Sequence, residues 1–218
     1  MKQVLVSNSV FFNHAAILQK GMLIDYLFEL NNNRNVKGNI YKGKVMNILP
    51  GMEAAFIDIG LDKNAYLFLD NLLSDKFLRE LKIKKKDAAI NKVLKTGDEL
   101  LVQVVREPMG EKNVSVTTDI SLTGKFIAFI PNTRGVNLSK KIKEPNERKR
   151  LEEIGKSIMV NGNGMIIRTF AKGCPKEAIE KEYKMLYKMY LQIEKEYKYS
   201  YAPKLLHKSN SLIERLFL

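Results

Sequence analysis

The chain carries one cysteine, Cys174, in 218 residues. That excludes an intrachain disulfide and any multi-cysteine zinc site within one chain, and it suits a reducing, cytoplasmic setting. Long apolar runs are missing as well, so no membrane span is expected. The opening MKQVLVSNSVFFNHAAIL is broken by Ser, Asn and His and lacks the uninterrupted apolar core of a signal peptide. His14 and His207, the two histidines, are isolated from Cys, His and carboxylates at metal-ligand spacing. Asn161-Gly162-Asn163-Gly164 has no Lys-Ser/Thr ending and reads as a turn, not a phosphate loop. No internal repeat or low-complexity segment occurs.

Acid is also scarce. The 37 basic residues outnumber the 24 acidic ones, for a net charge of +13. The excess is uneven: residues 120–218 hold 20 basic and 10 acidic residues, whereas 38–119 hold 13 and 12. A polyanionic partner accounts for such a balance. A lysine-rich genome does so too.

The most informative stretch is Gly38 to Leu69, GNIYKGKVMNILPGMEAAFIDIGLDKNAYLFL. Alternation predicts strands at Ile40–Leu49, Glu53–Ile59 and Ala65–Leu69, punctuated by Pro50-Gly51 and Gly60. Two more are expected at Glu99–Arg106 and Asn113–Thr118, with the turn Pro108-Met109-Gly110 between them. Residues 70–95 form a long insertion with a basic run, Lys82 to Lys86, to which no role is assigned. Five short strands with a long insertion after the third is the pattern of an oligonucleotide-binding barrel. Ahead of it, Gln3–Ser7, Ala15–Leu18 and Met22–Leu30 read as strands, the last two joined by a Lys20-Gly21 hairpin turn. That opening is too short to be a domain. Asn31 to Lys37 reads as a linker. Beyond the barrel, strands are expected at Phe126–Ile130, ended by Pro131-Asn132, and at Met165–Thr169. Helices are expected at Pro145–Gly155 and Lys176–Tyr199, the latter from Ile179, Tyr183, Leu186, Tyr190 and Ile193 at helical spacing.

Two sets of residues can carry chemistry. Phe56 and Tyr66 lie on adjacent barrel strands; exposed, each stacks a base, and turned inward, each fills the core. Lys42, Lys44 and Lys112 fall near the same surface by strand order and either grip phosphates or are simply solvated. Arg168-Thr169 ends an apolar strand, where a guanidinium and a hydroxyl can hold a terminal phosphate. The loop at Gly124 can add backbone N–H donors. A strand-terminal Arg-Thr pair is more often structural. Asp58 and Asp62 read as turn formers.

These residues resemble a known family. The pattern GNIYKGKV…P…EAAFIDIG…YLFL is similar to the S1-type RNA-binding domain of the ribonuclease E/G family, and IGLDK stands nearer its ribonuclease G branch. The likeness continues, in order and spacing, through Thr117 to Gly124, Phe129 to Asn132, Leu138 to Ile142 and Ile166 to Thr169. It implies an α+β architecture. An S1 barrel (38–119) and a sensor domain for the RNA 5′ monophosphate (120–204) would be inserted into a ribonuclease-H-like subdomain supplied by 1–37 and 205–218. Phe56, Tyr66 and Lys112 would touch RNA; Arg168 and Thr169 would bind the 5′ phosphate, with Gly124 and Ala128 lining the pocket. Tyr66 stands where Phe is usual, and Ala128 where Val is usual.

The family's catalytic domain, with two magnesium-binding aspartates and a cysteine zinc link after it, has no counterpart in these residues. The resemblance therefore implies no catalytic or metal-ligating residue here, and places magnesium and zinc in a further part of the protein. The implied partner is single-stranded RNA, preferably 5′-monophosphorylated, and not a membrane, with homo-oligomers possible for the whole protein. The expected role is substrate grip and end-sensing in RNA processing and decay, including that of ribosomal RNA. The rivals are a stand-alone, non-catalytic RNA-binding protein and a complete small nuclease.

Overall fold

The computed structural model describes residues 2–10, 12–30, 36–72, 88–107, 113–131, 133–160 and 163–210. Outside them fall most of the expected linker, the Lys82 to Lys86 run, the Pro108-Met109-Gly110 turn, Lys112, Asn132, Asn161-Gly162 and residues 211–218.

Strands β1 (Lys2–Asn8), β2 (Phe12–Gln19) and β3 (Met22–Leu30) form an antiparallel sheet in that order. Lys20 and Gly21 both take positive φ, 52° and 78°, the left-handed pair that a two-residue hairpin needs to match strand twist. Within this sheet's described side chains, only Asn13 and Ala15 are buried, while Leu5, Met22, Leu23 and Tyr26 are more than half exposed. A sheet so thin has little core of its own.

Five strands follow: β4 (Ile40–Leu49), β5 (Ala54–Asp58), β6 (Ala65–Phe68), β7 (Glu99–Arg106) and β8 (Ser115–Thr117). Their spatial order is β4-β5-β6-β8-β7, and β7 pairs back onto β4. All pairs are antiparallel except β6 with β8. The result is a closed five-stranded OB-like barrel within an α+β chain. Single helical turns α1 (Leu69–Leu72) and α2 (Ile90–Val93) lie between β6 and β7. Val45, Ala55, Ile57, Ala65, Leu67, Val102, Val104 and Val116 fill the interior. Each buried Val, Leu or Ile contributes about 1.5–3 kcal/mol. Their period of two fixes which side chains face out.

The rest is built on a four-stranded sheet, β9 (Leu122–Thr123), β10 (Ile127–Ile130), β11 (Val136–Leu138) and β12 (Gly164–Ile167), in the order β11-β12-β10-β9. Helices α3 (Pro145–Ile158) and α4 (Lys176–Tyr199) pack on it. The five spaced residues of α4, Ile179 to Ile193, are all buried as the periodicity requires. Tyr183 and Tyr190 set their rings against Phe129 at 5.7 and 5.6 Å. A last strand, β13 (Lys204–His207), pairs antiparallel with the start of β4.

Sequence reasoning missed β9, β11 and β13, which are two to four residues long. It also ran β12 on to Thr169; the strand stops at Ile167, and Arg168 caps a 3₁₀ turn over Thr169–Ala171. Helix α3 continues one turn past Gly155, because Ile158 still reaches the core.

Candidate nucleic-acid interface

On the barrel wall, Phe56 of β5 sits directly opposite Tyr66 of β6. Their neighbours Ala55, Ile57, Ala65 and Leu67 point inward, so both rings point outward by alternation. The rings lie 4.7 Å apart at 38°, partly exposed. The sequence left core and surface open for Phe56; the structure puts it on the outer wall. Two residues beyond Tyr66, Phe68 faces the same way, its ring 5.8 Å from Tyr66 and nearly parallel at 12°. Sequence reasoning overlooked Phe68, although its i+2 spacing from Tyr66 in YLFL was signal enough.

The lysines divide. Lys44 is exposed, across from Asp58. Lys42 corrects the expectation of a phosphate contact, because its ammonium is buried. It donates to the carbonyls of Tyr197 (3.0 Å) and Ser200 (2.8 Å) and pairs with Glu99 at 2.7 Å, over the Tyr197 ring. Three donors meet three acceptors, so Lys42 ties the barrel to the end of α4. Its salt bridge holds the Glu99 carboxyl below its ordinary range. Asp58 accepts the Gly60 N–H at 2.9 Å, the turn-forming role expected of it.

The second constellation sits at the end of β12. Arg168 donates its backbone N–H to Phe126 at 2.7 Å, and its Nη1 donates to the Gly124 carbonyl. Among the described residues the guanidinium has no other bonded partner, which leaves Nε and Nη2. Thr169 follows in the 3₁₀ turn, and Ala128 lies on β10 between Thr123 and Ile166. The structure thus gathers Gly124, Ala128, Arg168 and Thr169 around one strand end.

What shapes that site is Glu182, on α4. Its carboxylate accepts three successive backbone N–H groups, from Lys125 (2.7 Å), Phe126 (2.8 Å) and Ile127 (2.9 Å). A carboxylate so held fixes the loop that presents the Gly124 carbonyl to Arg168. It also corrects the expectation of free N–H donors here: the Gly124 N–H goes to the Ile127 carbonyl at 2.8 Å and the next three go to Glu182, so the loop offers a carbonyl instead. Gly124 itself makes room: a Cβ there would lie 2.5 Å from the Glu182 carboxyl carbon. Nothing in the sequence pointed to Glu182, which is one polar position among many on a helix 50 residues and more away.

The far side of the 3₁₀ turn is clamped to α3. Glu147 accepts Arg150 Nε and Nη2 at 2.8 and 2.7 Å and the Gly173 N–H at 2.9 Å. Arg150 also donates to the Cys174 carbonyl, and Lys172 pairs with Glu144. The Arg150 guanidinium, then the Gly173 N–H, holds the Glu147 carboxyl down at about 2, against an ordinary 4.5. A depressed folded-state value stabilises fully above the unfolded one and is lost as pH falls through the folded one. Glu147→Gln should therefore lose less stability than the parent between about pH 5 and pH 2, read from thermal melts across that range. Parallel acid profiles would refute the clamp.

A closed OB-like barrel with a bare aromatic row, beside an α+β unit that steadies an arginine at a strand end, defines a two-part α+β scaffold. Comparison with known proteins finds its relatives. Residues 121–218 match the model of the ribonuclease E/G family. The chain is 38% identical over 180 residues to the ribonuclease E of Nostoc sp., covering 82% of this chain and 25% of that relative. It is 33% identical over 184 residues to the ribonuclease G of Haemophilus influenzae, covering 82% and 37%. Against the ribonuclease G of Escherichia coli K12 the figure is 35% over 173 residues, covering 78% and 35%. By these matches the chain is similar over most of its length to members of the ribonuclease E/G family, and it spans about a quarter to two fifths of the length of those relatives.

Proposed function

We propose that this chain is the RNA-gripping and 5′-end-sensing region of a ribonuclease E/G-type endoribonuclease. In this reading the whole protein cleaves single-stranded RNA during cytoplasmic RNA processing and decay. The observation that carries it is the outward Phe56–Tyr66 pair on a closed barrel, with exposed Lys44 on the adjoining strand. Aromatic faces stack unpaired bases while cations hold the backbone. The surplus of positive charge in 120–218 steers RNA toward the sensor.

End-sensing falls to Arg168 and Thr169. A terminal monophosphate carries more charge and more free oxygens than an internal phosphodiester, so the free Nε and Nη2 donors gain more from it. The Thr169 hydroxyl adds a neutral donor. Among the described residues, no three His, Cys, Asp or Glu side chains gather as metal ligands. Metal-assisted hydrolysis, with its magnesium, and the structural zinc belong in this reading to residues outside these 218. No helix of the described residues is long and apolar enough to cross a membrane.

The test compares 5′-monophosphate and 5′-hydroxyl RNA of one sequence. The parent should prefer the monophosphate, and Arg168→Ala should lose that preference, with roughly a tenfold drop for the phosphorylated RNA alone, one charge-assisted bond being about 1.5–3 kcal/mol. An equal drop for both RNAs would reduce Arg168 to a generic charge contact.

A further inference from the structure

Phe68 closes the aromatic row and opens a cavity that no base-contacting role yet explains. The cavity measures about 470 Å³, within the roughly 300–1,000 Å³ of small-ligand sites. Phe68 and Val105 form its apolar part; Asn71, Arg106, Ser115 and Asp119 supply its polar rim. Thr117 stiffens the wall by donating from Oγ1 to the Asn71 carbonyl at 2.8 Å.

We propose that Phe68 and this cavity form a third base-binding subsite, which takes the unpaired nucleobase next along the strand from those stacked on Phe56 and Tyr66. The inference rests on the RNA-binding reading above and extends it by one nucleotide. Four features fit that occupant together. Phe68 is 40% exposed, so a ring face is open to solvent. Its plane departs from that of Tyr66 by only 12°, so bases stacked in sequence meet rings already near parallel. Arg106 at the mouth is exposed and backbone-paired with Ser115, while among the described residues its guanidinium makes no hydrogen bond or ion pair; it suits the phosphate that must accompany the base. The Asn71 amide and Ser115 hydroxyl offer both donors and acceptors, as the rim of any nucleobase requires. An apolar protein side chain would leave that rim unmatched, and a lone anion would leave the ring unused.

The chain contains no tryptophan, so Phe68→Trp creates a single fluorescent reporter at the subsite. Titrated with single-stranded hexanucleotide RNA, the full 218-residue chain carrying Phe68→Trp should be quenched as a base stacks on the indole. Phe68→Ala should weaken hexanucleotide binding about 5- to 150-fold, the worth of one stacked base at about 1–3 kcal/mol. Phe68→Leu keeps apolar cover over Ala54, its cross-strand neighbour, and should bind as weakly as Phe68→Ala while melting like the parent. Arg106→Gln should flatten the logarithmic salt slope by about 0.7, one single-strand phosphate contact. Unquenched Phe68→Trp, or parental affinity in Phe68→Leu, overturns the subsite. If Phe56→Ala also binds like the parent, the barrel reading itself fails; if only the Phe68 variants do, the barrel stands and the third subsite falls.

Discussion

Replacing Phe56 and Tyr66 together with Ala should nearly abolish binding of single-stranded RNA while leaving the barrel folded. Each stacked base is worth about 1–3 kcal/mol, so a single Ala should cost about 5- to 150-fold in affinity. The pair should cost less than the product of the two singles. The rings touch at 4.7 Å, and neighbours this close couple. Stability should hardly move, because Ala55, Ile57, Ala65 and Leu67, not the rings, fill the barrel. Fluorescence anisotropy with a labelled oligonucleotide and a thermal melt of the same samples decide it. A melt that collapses with the affinity would make the two rings part of what holds β5 and β6 together.

The second large effect should come from Glu182. Glu182→Ala leaves three neighbouring N–H groups without their shared carboxylate. Hydrogen bonds to a charged group are worth about 1.5–3 kcal/mol each, but water reaches this part-exposed loop and replaces much of that. A net loss of about 2–4 kcal/mol is expected, or roughly 5–15 °C in melting temperature for a chain of this size. Glu182→Gln keeps an acceptor but not the charge and should lose less. Because the loop sets the Gly124 carbonyl against Arg168, the preference for 5′-monophosphate RNA should fall in both variants while barrel binding persists. A Glu182→Ala melt within a degree of the parent would show that the loop holds itself.

The barrel was legible because its information is local. The short apolar runs at Ile40–Leu49, Ala54–Asp58 and Ala65–Phe68 mark strands by themselves, and Pro50-Gly51 and Gly60 follow β4 and β5 as turn residues. The same holds for α4, whose five apolar residues share one face. What stayed hidden was what other parts of the chain impose. KLLH at 204–207 has no alternation; it is a strand only because the first half of β4 leaves an edge bare where β5 has not yet begun to pair. Lys42 looked like its exposed neighbour Lys44 because alternation cannot say that a helix end 155 residues later covers one and not the other. Arg168 and Thr169 stood out as a strand-terminal pair and took their expected role from a resemblance, but their support by Glu182 was not legible, since three backbone donors carry no residue code.

The return of β13 to β4 also bears on how the molecule is made. Asn39 and Ser209, 170 residues apart, are joined by a hydrogen bond beside that pairing. A ribosome extrudes the barrel's first strand long before it extrudes its flanking partner, so for much of synthesis an edge of β4 is bare. Such distant contacts slow folding, and unpaired edges invite association between nascent chains. The order of the sequence thus sets how long that edge stays open during synthesis.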